Sequence, residues 1–341
     1  MMRFSLAFLA LAAHGVNAML RFSCSELVID RLDPLVTPGE NPSPHLHQIV
    51  GGNAFNITMD PSLDLPSLAT CTSCTFSEDL SNYWTAVLYF RARDGTLTRV
   101  PQMGNQFLEQ ATGGMTVYYI QPYDGTQVTA FQPSFRMLVG DPMKRTFDDS
   151  LESRQLSFRC FEENFGGEAG APGTGQDTRE LPNRPCPGGI RSNIFFPTCW
   201  DGVNVDSPDH KSHVAFPTSG SFETGGPCPA SHPIKIPQLF YETVWDTREF
   251  NDQSQWPEDG SQPFVFSMGD PTGYGQHGDY VFGWKGDALQ RAMDANCNVV
   301  CPQIQSQDTS VANQCTIPRR VDEAIDEGEL QDTSFLKVAY C

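Results

Sequence analysis

Eleven cysteines constrain this 341-residue chain more than any other feature. They stand at positions 24, 71, 74, 160, 186, 199, 228, 297, 301, 315 and 341. Their meaning depends on where the chain goes, and residues 1–18 read as a signal peptide. Arg3 supplies the positive end, Phe4 to Ala13 an apolar stretch, and Val16-Asn17-Ala18 small residues before a cut. That stretch is too short to span a bilayer as a helix, and no second long apolar run follows, so a soluble secreted protein is expected. Outside the cell the cysteines are expected to pair as disulfides. An odd count leaves one over, and Cys341, the last residue, is the expected remainder. Two alternatives stay open. Cys71-Thr-Ser-Cys74 could be a redox motif, or Cys71 and Cys74 could join Cys297 and Cys301 in a four-thiolate zinc site. Asn56-Ile-Thr58 is a glycosylation sequon, expected on the surface.

Between the cysteines the pattern is strand and turn. Twenty-nine Gly and twenty-six Pro are spread along the chain and divide it into short segments. Strands are expected at Tyr83–Phe90, Met115–Ile120, Phe135–Val139, Leu239–Trp245, Phe264–Phe266 and near Tyr280–Phe282. Each is rich in aromatic or β-branched residues, and several end at breakers such as Asp94-Gly95. Helices are expected only at Asp287–Asn296, where Ala288, Leu289, Ala292 and Met293 share a face, and at Val321–Leu330. Asn164–Asn183 has almost no large apolar residue and reads as a long surface loop or linker. A mainly β fold follows, a sandwich or jelly-roll-like domain with long loops, few short helices and disulfide staples. The expected division is a signal peptide at 1–18, an N-terminal segment at 19–29, one domain at 30–301 and a C-terminal tail at 302–341.

The chemistry concentrates in histidine motifs. If His45-Leu46-His47 is extended, both imidazoles point to one face, because side chains alternate with period two. Asp206, Asp209, His210 and His213 lie within eight residues, with Trp200 and Asp201 just upstream. Neighbouring Asp and His suit a carboxylate that orients an imidazole. His277-Gly-Asp279 enters an apolar strand and could present both groups on one face. Histidine ligates metals and moves protons near neutral pH. The plainer possibility is three separate polar loops. His232, between prolines, reads as structural. Trp200 could stack on a sugar ring or lie buried under a disulfide at Cys199.

Charge and missing motifs exclude other classes. The formal net charge of −19 becomes −20 once Arg3 leaves with the signal, which argues against a nucleic-acid partner. Gly-x-Ser-x-Gly, His-Glu-x-x-His and a P-loop are absent. Forty-one acids give no distinguishable glycosidase pair. A copper oxygenase that uses an N-terminal His is disfavoured, because the expected mature terminus is Met19.

The motifs together resemble a secreted fungal and actinobacterial family, the domain-of-unknown-function family numbered nineteen-ninety-six. The likeness rests on His45-x-His47 with Val50-Gly-Gly-Asn53, on Cys71-x-x-Cys74 with Asn82-Tyr-Trp84, and on Phe195-Phe-Pro-Thr-Cys-Trp-Asp-Gly202. It continues through Asp206-Ser-x-Asp-His-Lys-Ser-His213, Cys228-Pro-x-Ser-His-Pro233, Pro237-Gln238 and His277-x-Asp279. It covers roughly Asp30 to Cys301 and implies, by association, an extracellular polysaccharide or cell-wall setting. The leading expectation is a carbohydrate-active protein, a glycoside hydrolase or polysaccharide lyase. His45, His47, His210, His213, His277 and Asp279 would line its cleft, with Asp201, Asp206 and Asp209 as further acid-base candidates. A non-catalytic glycan- or wall-binding protein would rely instead on Tyr83, Trp84, Trp200 and Trp284. A copper- or zinc-binding protein would draw its ligands from His45, His47, His210, His213 and His277.

Overall fold

The structure is a computed structural model that describes residues 19–329, except 106, 107, 109, 124, 164–175 and 221–225. The signal peptide expected at 1–18, Cys341 and most of the segment read at 164–183 lie outside the described residues.

Two antiparallel sheets form the frame. The larger runs in the order Met19–Cys24, Met115–Ile120, Gln238–Trp245, Ile190–Phe195, Leu156–Cys160, with Gln102–Met103 on the end of Gln238–Trp245. The smaller, called the site sheet below, runs Val28–Asp30, His47–Gly51, Asn82–Ala86, His277–Val281, Arg136–Gly140. Alternation decides how they meet. Leu20, Phe22, Val117, Tyr119, Leu239, Tyr241 and Ile194 from the large sheet share one core with Val50, Tyr83, Met137, Val139 and Tyr280 from the site sheet. Side chains point alternately up and down along a strand, so the remaining site-sheet residues face the other way. Those are His47, Ile49, Trp84, Ala86, Leu138, His277, Asp279 and Val281. The sandwich thus leaves one face of the site sheet to be covered by loops, and these loops build the site.

The long aromatic run expected at Tyr83–Phe90 is split. Asn82–Ala86 stays in the site sheet, whereas Leu88–Arg91 pairs with Phe264–Phe266 and Thr96–Arg99 in a separate four-stranded sheet. A short helix at Ala288–Asp294 buries the four residues that its pattern assigned to the core. The second expected helix does not form. Residues 321–326 are bends and loop, and Glu327–Glu329 is a strand on Thr96–Arg99. Long-range pairing to an open sheet edge outcompetes local helical preference there. The segment set apart as a tail also packs on the domain. Cys315, Ile317 and Val321 join the cluster around Leu27, Ile49 and Trp84, and Glu323 lies 3.5 Å from Arg31.

Ten cysteines pair: 24–74, 71–315, 160–186, 199–228 and 297–301. Cys71 and Cys74 therefore bond to separate partners, Cys315 and Cys24. Neither the redox motif nor the four-thiolate zinc site exists.

Candidate metal centre

The sheet register explains how two distant histidines meet. His47 pairs with Ala86 across one ladder, and His277 pairs with Gly140 across another. Gly278 stands opposite Thr85, which puts His277 beside Ala86. One row across the sheet therefore reads His47, Ala86, His277, Gly140. Neighbouring strands are about 4.8 Å apart, so two imidazoles flanking a methyl group have room to lean together above it. His47 Nε2 lies 3.4 Å from His277 Nε2. His45 reaches the same point from the chain just ahead of its strand, held where Leu46 O accepts from Val87 N and Ser267 Oγ. Its Nε2 is 3.0 Å from His277 Nε2. Enlarging the floor should break the arrangement. Ala86→Leu is expected to wedge the two rings apart, cost about 1–3 kcal/mol by overpacking and abolish metal uptake, measured by denaturant melts and metal analysis.

Hydrogen bonding fixes which nitrogens face inward. His47 Nδ1 donates to Leu32 O and His277 Nδ1 donates to Gly275 O, each at 3.0 Å. A carbonyl only accepts, so both Nδ1 atoms carry the proton and both Nε2 atoms present lone pairs. Burial drives all three imidazoles toward neutrality. His47 and His277 are pushed down to about 4, and His45 well below its usual value, first by desolvation and then by its histidine neighbours. Three neutral rings, two of them with tautomers locked by backbone carbonyls, and nitrogens gathered around one point suit a metal site. Ligands at about 2.0–2.1 Å in a tetrahedron have edges of about 3.3–3.4 Å, near the two spacings that His277 makes with His45 and His47. Among the described residues this is the one group of three such side chains able to hold an ion, with its ligand atoms within 4.8 Å of one another.

The same shifts give a pH dependence. The folded-state values of His47 and His277 lie below the unfolded value near 6.5. On acidification the unfolded chain takes up protons first, so stability is full above about pH 6.5 and falls between about 6.5 and 4. The melting temperature of the metal-free protein should drop through that window, and the drop should shrink in His277→Gln.

Through His45 and His277 the triad borders a cavity of about 570 Å³, lined also by Asp33, Asp279, Glu152 and Lys211. Asp279 lies two residues beyond His277 on the same face. It is 1 % exposed, and its Oδ2 has no hydrogen-bond partner. Burial holds its carboxyl well above the usual range, and the Asp33 carboxylate adds to this. Asp33 Oδ1 accepts from the backbone N–H groups of Leu35 and Val36. Its carboxyl is raised by burial too.

The middle histidine motif does not join the cluster. His210 takes a φ of +53° and bonds Asp206 at 2.6 Å, while its carbonyl accepts from Leu138 N. Asp209 Oδ1 closes the turn by accepting from Lys211 N, Ser212 N, Ser207 Oγ and Ser212 Oγ. His213 bonds Ser207 Oγ and packs its ring against Phe135. Asp201 accepts from the backbone N–H groups of Val203 and Asn204. These five groups shape a loop and lie outside both the triad and the cavity lining. What the loop delivers to the cavity is Lys211, which the sequence reading passed over. A cation between two histidines of one motif was the available signal.

The aromatic side chains on which a glycan-binding protein would rely are buried. Tyr83 and Trp84 are 0 % exposed and Trp284 1 %. Trp200 is buried beside the Cys199–Cys228 bridge, with Nε1 donating to Asn204 O. Strong strand formers on a sandwich are better placed in its core than on its surface. His232 bonds Ser212 O and is structural, and Asn56 is exposed, as a used sequon requires.

A family model described as "Domain of unknown function (DUF1996)" matches residues 33–284, a span that contains the whole triad and every cavity residue named above. No curated protein and no solved structure matches.

Proposed function

From the premise that the chain belongs to the DUF1996 family, a domain of unknown function, we propose that it is a secreted, metal-dependent carbohydrate-active enzyme, a polysaccharide hydrolase or lyase. The observation that carries the reading is the meeting of three imidazole Nε2 atoms beside a largely apolar cavity that Asp33, Asp279, Glu152 and Lys211 also line. Three protein ligands with a further position open to a cavity is the pattern of catalytic zinc rather than structural zinc. The absence of a thiolate or thioether from the set favours zinc over a copper electron-transfer site. A bound ion would supply Lewis acidity and an acidified water. His47 and His277 would be held in register by Leu32 O and Gly275 O. Asp279 stands on the same strand face with one oxygen uncommitted, placed to take or give a proton to a bound substrate. The extracellular setting draws support from the N-terminal sequence and five disulfides. The polysaccharide draws on the family's association with cell-wall modules. A purely stacking glycan binder loses its basis with the burial of Tyr83, Trp84, Trp200 and Trp284.

The test is a polysaccharide cleavage screen, read by new reducing ends and unsaturated products, on protein loaded with zinc, loaded with copper, or stripped by chelator. Zinc-dependent cleavage is expected. Asp279→Asn is expected to lower it about 10²–10⁴-fold with metal content unchanged. Equal activity in stripped and loaded protein, or in Asp279→Asn and the parent, would sink the reading.

A further inference from the structure

The cavity contains a donor that the metal reading does not use. Lys211 Nζ lies 2.7 Å from Gly140 O and 2.7 Å from Glu152 Oε1. An ammonium has three N–H groups, and two are spent on these partners. Lys211 lines the cavity, so its third N–H is left to whatever the cavity holds. Its position is set by the sheet. Gly140 is the register partner of His277. At a φ of +87° a Cβ on Gly140 would fall 2.2 Å from Gln276 O and 2.7 Å from His277 Cα. That close approach brings the carbonyl that holds Lys211 against the strand that carries His277. Glu152 completes the clamp by accepting from Gly140 N at 2.9 Å through the same oxygen that pairs with Lys211. The other cation of the lining, Lys144, is tied to Asp148 and Ser153 in the rim loop and has no such anchor on the sheet.

We propose that Lys211 forms an acceptor-oxygen subsite beside the triad, which donates to an oxygen of a carboxylate or carbonyl group seated at the open metal position. This rests on the metal reading above. The cavity walls permit such a ligand despite the acidity of the chain. Glu152 and Asp148 are each paired with a lysine, and Asp33 has backbone donors. A uronate or an acylated sugar carries the required oxygen, whereas an unsubstituted glucan does not. The subsite thus separates substrate classes that the metal alone would treat alike. Lys211 is a positioning residue until a substrate is seen to touch it.

The test uses the full secreted chain loaded with cobalt, whose visible absorption reports ligands entering its coordination sphere. Acetate probes a carboxylate and acetamide a neutral carbonyl. Acetate is expected to change the spectrum of the parent protein saturably. Lys211→Met should weaken that response at least tenfold, and Lys211→Arg should restore part of it. Cobalt stoichiometry should be the same in all three, which shows that the fold and triad are intact. A greater loss for acetate than for acetamide identifies the carboxylate as the preferred group, and the reverse identifies the carbonyl. Unchanged affinity for both probes in Lys211→Met, or no spectral response in cobalt-loaded parent, overturns the subsite and leaves the metal reading standing. Failure of the parent to take up cobalt overturns the metal reading itself, and the stoichiometry alone reveals it.

Discussion

His277→Ala is expected to lower zinc affinity about a thousandfold. Structural zinc sites bind with roughly 10–16 kcal/mol shared over four ligands, so one imidazole accounts for about 2.5–4 kcal/mol, and at 1.4 kcal/mol per decade the upper end is about a thousandfold. His277 is the decisive position because its Nε2 is the shared vertex, 3.0 Å from that of His45 and 3.4 Å from that of His47. Its loss leaves two nitrogens with no common neighbour. The metal-free fold should suffer less, since the ring is flanked by Ala86 and the cavity rather than by tightly packed apolar groups. Competition with a chromophoric chelator measures the affinity. A value within tenfold of the parent would mean that the three rings do not share an ion.

The second large effect concerns stability. Removing the Cys71–Cys315 bridge with paired Ser substitutions is expected to cost about 3–5 kcal/mol. The bridge joins residues 244 apart, and the stabilisation from restricting the unfolded chain grows with loop length. At about 2–4 °C per kcal/mol for a chain of this size, the melting temperature should fall by about 10 °C. The damage should reach the site. Beyond Cys315, Ile317 N donates to Leu27 O, and Arg320 N and Val321 N donate to the Asp30 carboxylate. Asp30 pairs with His47 across the edge of the site sheet. The C-terminal segment therefore clamps the edge strand next to a metal ligand, and the variant should bind zinc more weakly as well as melt earlier. An unchanged melting temperature under oxidising conditions would contradict this account.

What the sequence revealed and what it concealed follow from the range of the interactions. Met115–Ile120 and Phe264–Phe266 announce themselves because breakers bound a run that only a buried strand can use. His45-x-His47 and His277-x-Asp279 are legible for a similar local reason, since period-two spacing puts each pair on one face. Which motifs meet depends on register, and register is non-local. His47 and His277 converge because Ala86 happens to lie between them, a fact no single segment contains. His210 and His213 carry the same chemistry in isolation but fold away through a left-handed turn and a ring packed at a tilt against Phe135. Tyr83, Trp84 and Trp284, on which a glycan binder would rely, are buried, with their rings against Tyr280, Phe55 and Phe22. Val321–Leu330 carries helical spacing that the open edge at Thr96–Arg99 overrides.

The most direct measurement is X-ray absorption at the zinc edge on purified protein with its zinc content determined in parallel. The account predicts one zinc per chain, three imidazole nitrogens at about 2.0–2.1 Å and the rest of the shell oxygen. Zinc that fails to bind in stoichiometric amount, or a shell with sulfur or with fewer than three imidazoles, would contradict it.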